Sequence, residues 1–360
     1  MLIARLPELS RGFPFVTKIH FQGFTMKIIV FSARSYDSVY LKPCAEENNL
    51  SISFVETRLN AQSASMAQGY DVACAFVNDV LDREVFSQLK EQGIQLVAMR
   101  CAGYNNCDLK AAEDFDIPVV RVPEYSPHSV AEHTFALILG LVRRIPKAFN
   151  RVREGNFELN GLMGFDLNRK TIGVVGIGKI GREVVKIANG FGMKVLGYDP
   201  FMEDDIPGVT PVGFEDLIQQ SDIVTLHCPL SPKTQHLIDF PTLQSMKPGA
   251  LLINTSRGGL VDTSAIIKGL KERHLGGLGI DVYENEAGLF FNDRSEEILD
   301  DDIFTRLLTF PNVIVTGHQG FFTREAMSNI ASATIQSVCE LRSGNPLSYQ
   351  IQPHPAGSAV

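Results

Sequence analysis

Halfway along the chain, the apolar run TIGVV leads into Gly176-Ile177-Gly178-Lys179-Ile180-Gly181, which opens a helical stretch, KIGREVVKIANGF. Glycines at these three places allow a tight turn, close approach of a pyrophosphate to the backbone, and close packing of helix on strand. The helix N-terminus supplies N–H donors and positive potential for the phosphates. Alone the G-x-G-x-x-G pattern is weak; its setting between a strand and a helix gives it weight. Asp199 ends the next strand, KVLGYD, 18 residues past Gly181. A carboxylate there accepts hydrogen bonds from an adenosine ribose and repels a 2′-phosphate, which predicts NAD rather than NADP as cofactor.

The loop sits inside a longer alternation. From Met26 onward short Val/Ile-rich runs alternate with stretches of helical length, which predicts α/β architecture with parallel sheets. The runs fall into two groups. IIVFSA, SISFV, VACAFV, QLVAMR and PVVRV end at Val122; TIGVVG, KVLGYD, IVTLHC, ALLINT, LGGLGIDV and VIVTG span Thr171 to Gly317. Between them, SPHSVAEHTFALILGLVRRIPKAFNRVREG predicts one long linking helix capped at Ser126 and kinked at Pro146. The last helical stretch, from Thr323, is expected to return to the first sheet, making that domain discontinuous. The expected division is an N-terminal extension over 1–25, a substrate domain over 26–125 plus 319–345, a cofactor domain over 126–318, and a tail over 346–360.

At 360 residues the chain has room for about two domains at roughly 150 residues each. A net charge of −8, with no basic patch, argues against nucleic acid as partner. FALILGLV falls far short of the roughly 20 residues that span a bilayer, and the first 25 residues lack a secretory pattern, so the expected location is cytoplasmic with no membrane partner. The six scattered cysteines form no C-x-x-C pair and read as reduced, buried thiols. The acidic run Asp293–Asp302 reads as a solvated loop face, and no metal site is expected.

Ligands of an open α/β sheet collect beyond the carboxyl ends of its strands. Thr255, Ser256 and Arg257 follow ALLIN, Asp281 follows LGGLGI, and His318 follows VIVTG; Glu286 lies five residues past Asp281. Arg offers a planar fork for a carboxylate or carbonyl oxygen, His titrates near neutral pH, and a carboxylate beside it favours the protonated form. That set suits reduction of a 2-oxo acid. A serine hydrolase lacks its G-x-S-x-G elbow here, and no His/Cys group has zinc spacing.

Seven motifs in order, RCAGYNNCDL, VPEYSPHSVAEH, VVGIGKIG, LHCPL, NTSRGGLVD, GIDVYENE and TGHQGFF, resemble those of the D-isomer-specific 2-hydroxyacid dehydrogenases, and more narrowly the bacterial NAD-dependent D-lactate dehydrogenases, from Met26 to about Asn345. The resemblance implies two Rossmann-like or flavodoxin-like parallel-sheet domains with the active site in the cleft between them, and reversible NADH-dependent reduction of pyruvate to D-lactate. It implies that His318 is the general acid/base, Glu286 its partner and Arg257 the substrate clamp, with Ala102 and Gly103 holding the substrate carboxylate through backbone N–H groups and Tyr125 reaching in from the hinge. Beside Gly176, Gly178 and Gly181, it places Lys179, Ile180, Asp199, Cys228, Pro229, Thr234, Thr255, Ser256 and Asp281 on the cofactor. Phe321 and Tyr104 are expected to face the substrate side chain, the alternative for each being a core aromatic. Gly259 and Gly320 stand where the family often has Ala, which is expected to loosen their loops. Other 2-oxo acids (hydroxypyruvate, glyoxylate, phenylpyruvate) and a corepressor-like binding protein are the competing readings. The apolar FALILGLV helix points to a homo-oligomer, dimer or tetramer.

Overall fold

The structure is a computed structural model that describes residues 25–202 and 206–352. The expected extension over 1–25, but for its last residue, and the part of the expected tail beyond 352 lie outside the described residues.

Two parallel sheets organise the chain. The first holds β1 (Lys27–Val30), β2 (Ser51–Phe54), β3 (Val72–Ala75), β4 (Leu96–Met99) and β5 (Val119–Arg121) in the order β2-β1-β3-β4-β5. Its helices are α1 (Ser35–Glu47), α2 (Arg83–Glu91) and α3 (Leu109–Asp114). VACA and LVAM of β3 and β4 are buried at every residue, because parallel strands are covered on both faces and have no polar side to show. Asp82 and Asp108 cap α2 and α3 by accepting from Val85 N and Ala111 N.

The chain then runs through α4 (Pro127–Val142), α5 (Ile145–Arg153), β6 (Thr171–Val175), α6 (Lys179–Gly190), β7 (Lys194–Tyr198), β8 (Thr210–Pro211), α7 (Phe214–Gln220), β9 (Ile223–Leu226), α8 (Phe240–Ser245), β10 (Leu251–Asn254), α9 (Thr263–Lys271), β11 (Gly277–Ile280), α10 (Asp302–Leu308) and β12 (Val313–Val315). The second sheet has the order β12-β11-β10-β9-β6-β7-β8. The winding reverses between β6 and β9, which opens a crevice beyond their carboxyl ends. The edge strand β8, two residues long, is too short to show as a sequence pattern.

The predicted single helix across Pro146 is two helices. Ser126 caps α4 as expected, by accepting from Ser129 N, but the chain breaks at Arg144, whose φ of 53° is left-handed. Pro146 then sits in the first turn of α5, where a missing N–H costs nothing. The apolar residues of α4 also find their partners within the chain. Phe135, Ile138, Leu141 and Val142 are buried in the core around β6, and glycines of β11 leave the room they need: a Cβ on Gly279 would lie 3.2 Å from Leu137 Cβ. The hydrophobicity of FALILGLV therefore needs no second subunit.

The last helix, α11 (Arg324–Arg342), returns to the first sheet and places Ala331, Ile335 and Val338 in one core with Ile28, Val30 and Leu41. The segment expected to be a tail continues that lobe: Ile351 N donates to Val119 O and Arg121 N to Tyr349 O, extending the β5 edge. All six cysteines are unpaired; Cys74 and Cys101 are buried and the other four half-buried.

Candidate active site

The glycine loop is built as its spacing requires. Gly176 adopts φ +93°, and a Cβ there would lie 2.7 Å from Cys228 N. A Cβ on Gly181 would come 2.1 Å from Gly176 O, so α6 rests directly on the turn. Gly178 is the N-cap of α6, and a Cβ on it would meet nothing within 4 Å, which leaves the space before the helix N-terminus open to a phosphate. Lys179 and Ile180 form the first turn behind it, with Lys179 ion-paired to Glu124. Asp199, at the end of β7, accepts from Ile177 N at 2.8 Å and Phe201 N at 2.9 Å, tying the loop to the neighbouring strand. An open helix terminus flanked by a strand-end carboxylate fits a dinucleotide.

Of the other residues expected on the cofactor, Cys228, Thr255 and Asp281 follow β9, β10 and β11 at the same edge of the sheet as the loop, and several side chains of the set are already engaged. Ser256 Oγ donates to Cys228 O, Thr234 Oγ1 donates to Pro229 O, and the buried Thr255 Oγ1 pairs with Thr134 Oγ1 at 2.9 Å. Burial pushes the Cys228 thiol up to about 11, so it stays protonated and inert at neutral pH. Burial pushes the neighbouring His227 down to about 3, so it carries no charge.

Arg257, Glu286 and His318, 61 residues apart from first to last, converge on one cavity of about 320 Å³ that Ala102, Gly103 and Tyr125 also line. His318 Nδ1 lies 2.8 Å from Glu286 Oε1, and Glu286 Oε2 accepts from Tyr283 N at 3.0 Å, so the carboxylate is fixed at both oxygens. With Nδ1 occupied, Nε2 is the imidazole nitrogen left for a ligand.

The backbone at His318 is left-handed, φ 54°, a conformation that a non-glycine residue holds only when its surroundings impose it. Asp281 imposes it. Its carbonyl accepts from His318 N at 2.7 Å, and its carboxylate accepts from Thr316 Oγ1 (2.6 Å), Gln319 N (2.9 Å) and Gly320 N (2.7 Å). His133 Nε2 lies 3.3 Å away. Burial works to raise the Asp281 carboxyl, but hydrogen bonds from His133, Thr316 and the two N–H groups prevail and hold it below the usual carboxylate range. Gly320 is gripped here rather than loosened: a Cβ on it would press to 3.0 Å from Asp281 Oδ2.

Across the cleft, Gly103 leaves room for Arg257, whose Nη2 would be 2.2 Å from a Cβ at 103. Arg257 Nη1 donates to Ser256 O, and Asn254 Nδ2 holds the Arg257 carbonyl. The Ala102 carbonyl is held by Arg121 Nη1 at 2.8 Å. Burial pushes the Tyr125 hydroxyl up, against the pull of the Arg257 charge. Phe321 lines the cavity as expected, 6.0 Å from the Tyr125 ring. Tyr104 does not line it; its ring lies under Arg121, 5.1 Å from the guanidinium carbon, and packs on the first core. Phe76, Leu230 and Phe291 line the cavity without having been read from the sequence. Phe76 follows β3 and was open to the strand-end rule; Phe291 lies in an irregular loop and carried no signal. Among the described residues, no cluster of three or more His, Cys, Asp or Glu is arranged to hold a metal, and no helix is long and apolar enough to cross a membrane.

The family profile described as D-isomer specific 2-hydroxyacid dehydrogenase, NAD binding domain, matches residues 135–320. A 2-hydroxyacid dehydrogenase homolog of Haemophilus influenzae is 47% identical over 321 residues, covering 89% of this chain and 97% of its own. A D-lactate dehydrogenase of Escherichia coli is 43% identical over 321 residues, covering 89% and 98%. Among solved structures, the pyruvate reductase of Chlamydomonas reinhardtii superposes with a TM-score of 0.84 at 42% identity, over 90% of this chain and 98% of that one. The chain belongs to the D-isomer specific 2-hydroxyacid dehydrogenases and is an NAD-dependent oxidoreductase.

Proposed function

We propose that the protein is a D-lactate dehydrogenase that reduces pyruvate with NADH and runs in reverse. The observation that carries the reading is the His318–Glu286 pair, 2.8 Å apart, in a cavity that also holds Arg257. The guanidinium takes the substrate carboxylate and lies beside the keto oxygen, and backbone N–H groups at Ala102 and Gly103 hold the other carboxylate oxygen. His318 Nε2 gives its proton to the oxygen as negative charge develops there, while Glu286 holds the imidazolium in place. The Gly176–Gly181 loop would hold NAD, with Asp199 at the ribose and the residues after β9, β10 and β11 beside the nicotinamide half, and the bound cofactor would supply or accept the hydride. Asp281 serves that site by fixing the His318 loop. Phe76, Phe291 and Phe321 supply an apolar wall for the substrate side chain.

In this reading the substrate domain comprises 26–125 with the C-terminal segment from 319, and the cofactor domain 126–318; the contacts of α11 and Ile351 with the first sheet support it. We also infer a homo-oligomer, formed by α5 and the loop after it rather than by α4. Ile145, Phe149 and Val152 are each more than half exposed there, with Phe157, Leu159 and Met163 more so, and exposed apolar patches of this kind mark association surfaces. Sedimentation showing only a 39.7 kDa species would contradict the oligomer. The activity is tested by assaying a panel of 2-oxo acids with NADH and NADPH and resolving the product enantiomers. Pyruvate with NADH is expected to give the highest kcat/KM and D-lactate; another preferred acid, or the L product, would overturn the assignment.

A further inference from the structure

Phe291 stands between two cavities. The inner one, about 320 Å³, holds Arg257; the outer one, about 450 Å³, holds Arg34, Tyr36 and Glu56; His318 and Phe321 line both beside Phe291. Its ring is set edge-on against Phe76 at 5.2 Å and lies 5.7 Å from the His318 ring, so it roofs the space left for a substrate side chain. The backbone that aims it is left-handed, φ 63°, which a bulky residue adopts only under constraint.

The constraint comes from the other sheet's side of the cleft. Arg34, between β1 and α1, sends Nη2 to Phe291 O at 2.6 Å and to Asn292 Oδ1 at 3.2 Å. Arg34 is itself anchored: Asp37 Oδ2 accepts from its N–H at 2.8 Å, and Asp37 Oδ1 is paired with Arg100 Nε at 3.3 Å. Both members of that pair are buried, Arg100 at 2% exposure and Asp37 at 4%. Arg100 also donates to Ser32 O and stacks on Phe76, its guanidinium carbon 4.7 Å from the ring centre. One buried arginine thus fixes both the Phe76 wall of the pocket and, through Asp37 and Arg34, the Phe291 roof.

We propose that Phe291 is a specificity-determining residue that restricts the pocket to small 2-oxo acids, and that Arg34 is the positioning residue that holds it shut from across the cleft. This rests on the 2-oxo acid reading above. It makes side-chain discrimination a property of the joined lobes: with Arg34 removed, Phe291 relaxes from its left-handed backbone and the roof opens.

The test compares pyruvate with phenylpyruvate in wild type, Arg34→Met, Arg34→Lys and Phe291→Ala. Arg34→Met is expected to lower the kcat/KM ratio of pyruvate to phenylpyruvate by about tenfold, mainly through the pyruvate KM, with NADH affinity unchanged. Arg34→Lys, which can still donate to the Phe291 carbonyl, is expected to restore part of the ratio. Phe291→Ala is expected to lower it directly, and Arg34→Met added to Phe291→Ala to change it no further. A purely structural Arg34 would depress both substrates equally, and a constant ratio would overturn the proposal. Should Arg34→Met fail to fold, Arg34→Lys and Phe291→Ala decide it: unchanged ratios in both contradict it. A wild type that oxidises NADH with neither acid defeats the underlying functional reading instead.

Discussion

Gly103 and Arg257 meet across the cleft so closely that any Cβ on residue 103 would sit 2.2 Å from Arg257 Nη2. The absent side chain is what lets the guanidinium lie against the residue 103 backbone, and in the proposed function the two share the substrate carboxylate. Because the obstructing atom ends a flexible side chain, Gly103→Ala is expected to fold normally while displacing the clamp. A shift of about 1 Å in a positioning group costs about a hundredfold in rate. Steady-state kinetics should show a large loss of kcat/KM for pyruvate with unchanged NADH binding; unaltered kinetics would show that Arg257 does not act from this position.

Glu286→Gln keeps the shape of the His318 partner and removes its charge. The imidazolium loses its stabilisation and the tautomer its control, so pyruvate reduction is expected to fall by about 10² or more. Since reduction needs the protonated imidazole and lactate oxidation the neutral one, wild-type reduction should decline with rising pH and oxidation with falling pH. Parallel pH profiles in the two directions would contradict the role given to His318.

Asp281 carries a stability prediction. Its carboxyl is held below the usual range, so it binds fewer protons folded than unfolded near its titration. Its stabilising effect is complete above about pH 4, the ordinary aspartate value, and is lost as pH falls through the lowered folded value. Asp281→Asn leaves a buried N–H facing an amide nitrogen, at a cost of about 1–3 kcal/mol at neutral pH. Thermal melts from pH 7 to 3 should show the gap between wild type and variant narrowing at the acid end; a gap that stays constant would refute this.

Asp199→Ala removes the carboxylate that the proposed function sets at the ribose and also frees Ile177 N. NADH kcat/KM is expected to fall and the NADPH-to-NADH preference to rise by more than about tenfold, or 1.4 kcal/mol. An unchanged cofactor preference would place the adenosine ribose elsewhere.

What the sequence made legible followed from local rules. Glycine spacing after TIGVV, the Ser126 cap and the strand-end positions of Arg257 and His318 depend on residues near one another in the chain, and each was recovered. The break at Arg144 was missed because proline draws attention to itself, whereas a left-handed arginine leaves no mark. Tyr104 was open between pocket and core because adjacency to Gly103 does not say which way a side chain leaves an irregular loop. Phe291 and Arg34, 257 residues apart, were invisible for a different reason: their relation exists only once two sheets have been placed side by side.

Whether His318 is the proton donor is tested by single-turnover absorbance of His318→Gln mixed with NADH and pyruvate. The variant is expected to bind NADH as the wild type does and to oxidise it about 10²–10⁴ times more slowly. Oxidation at the wild-type rate would show that His318 is not the proton donor.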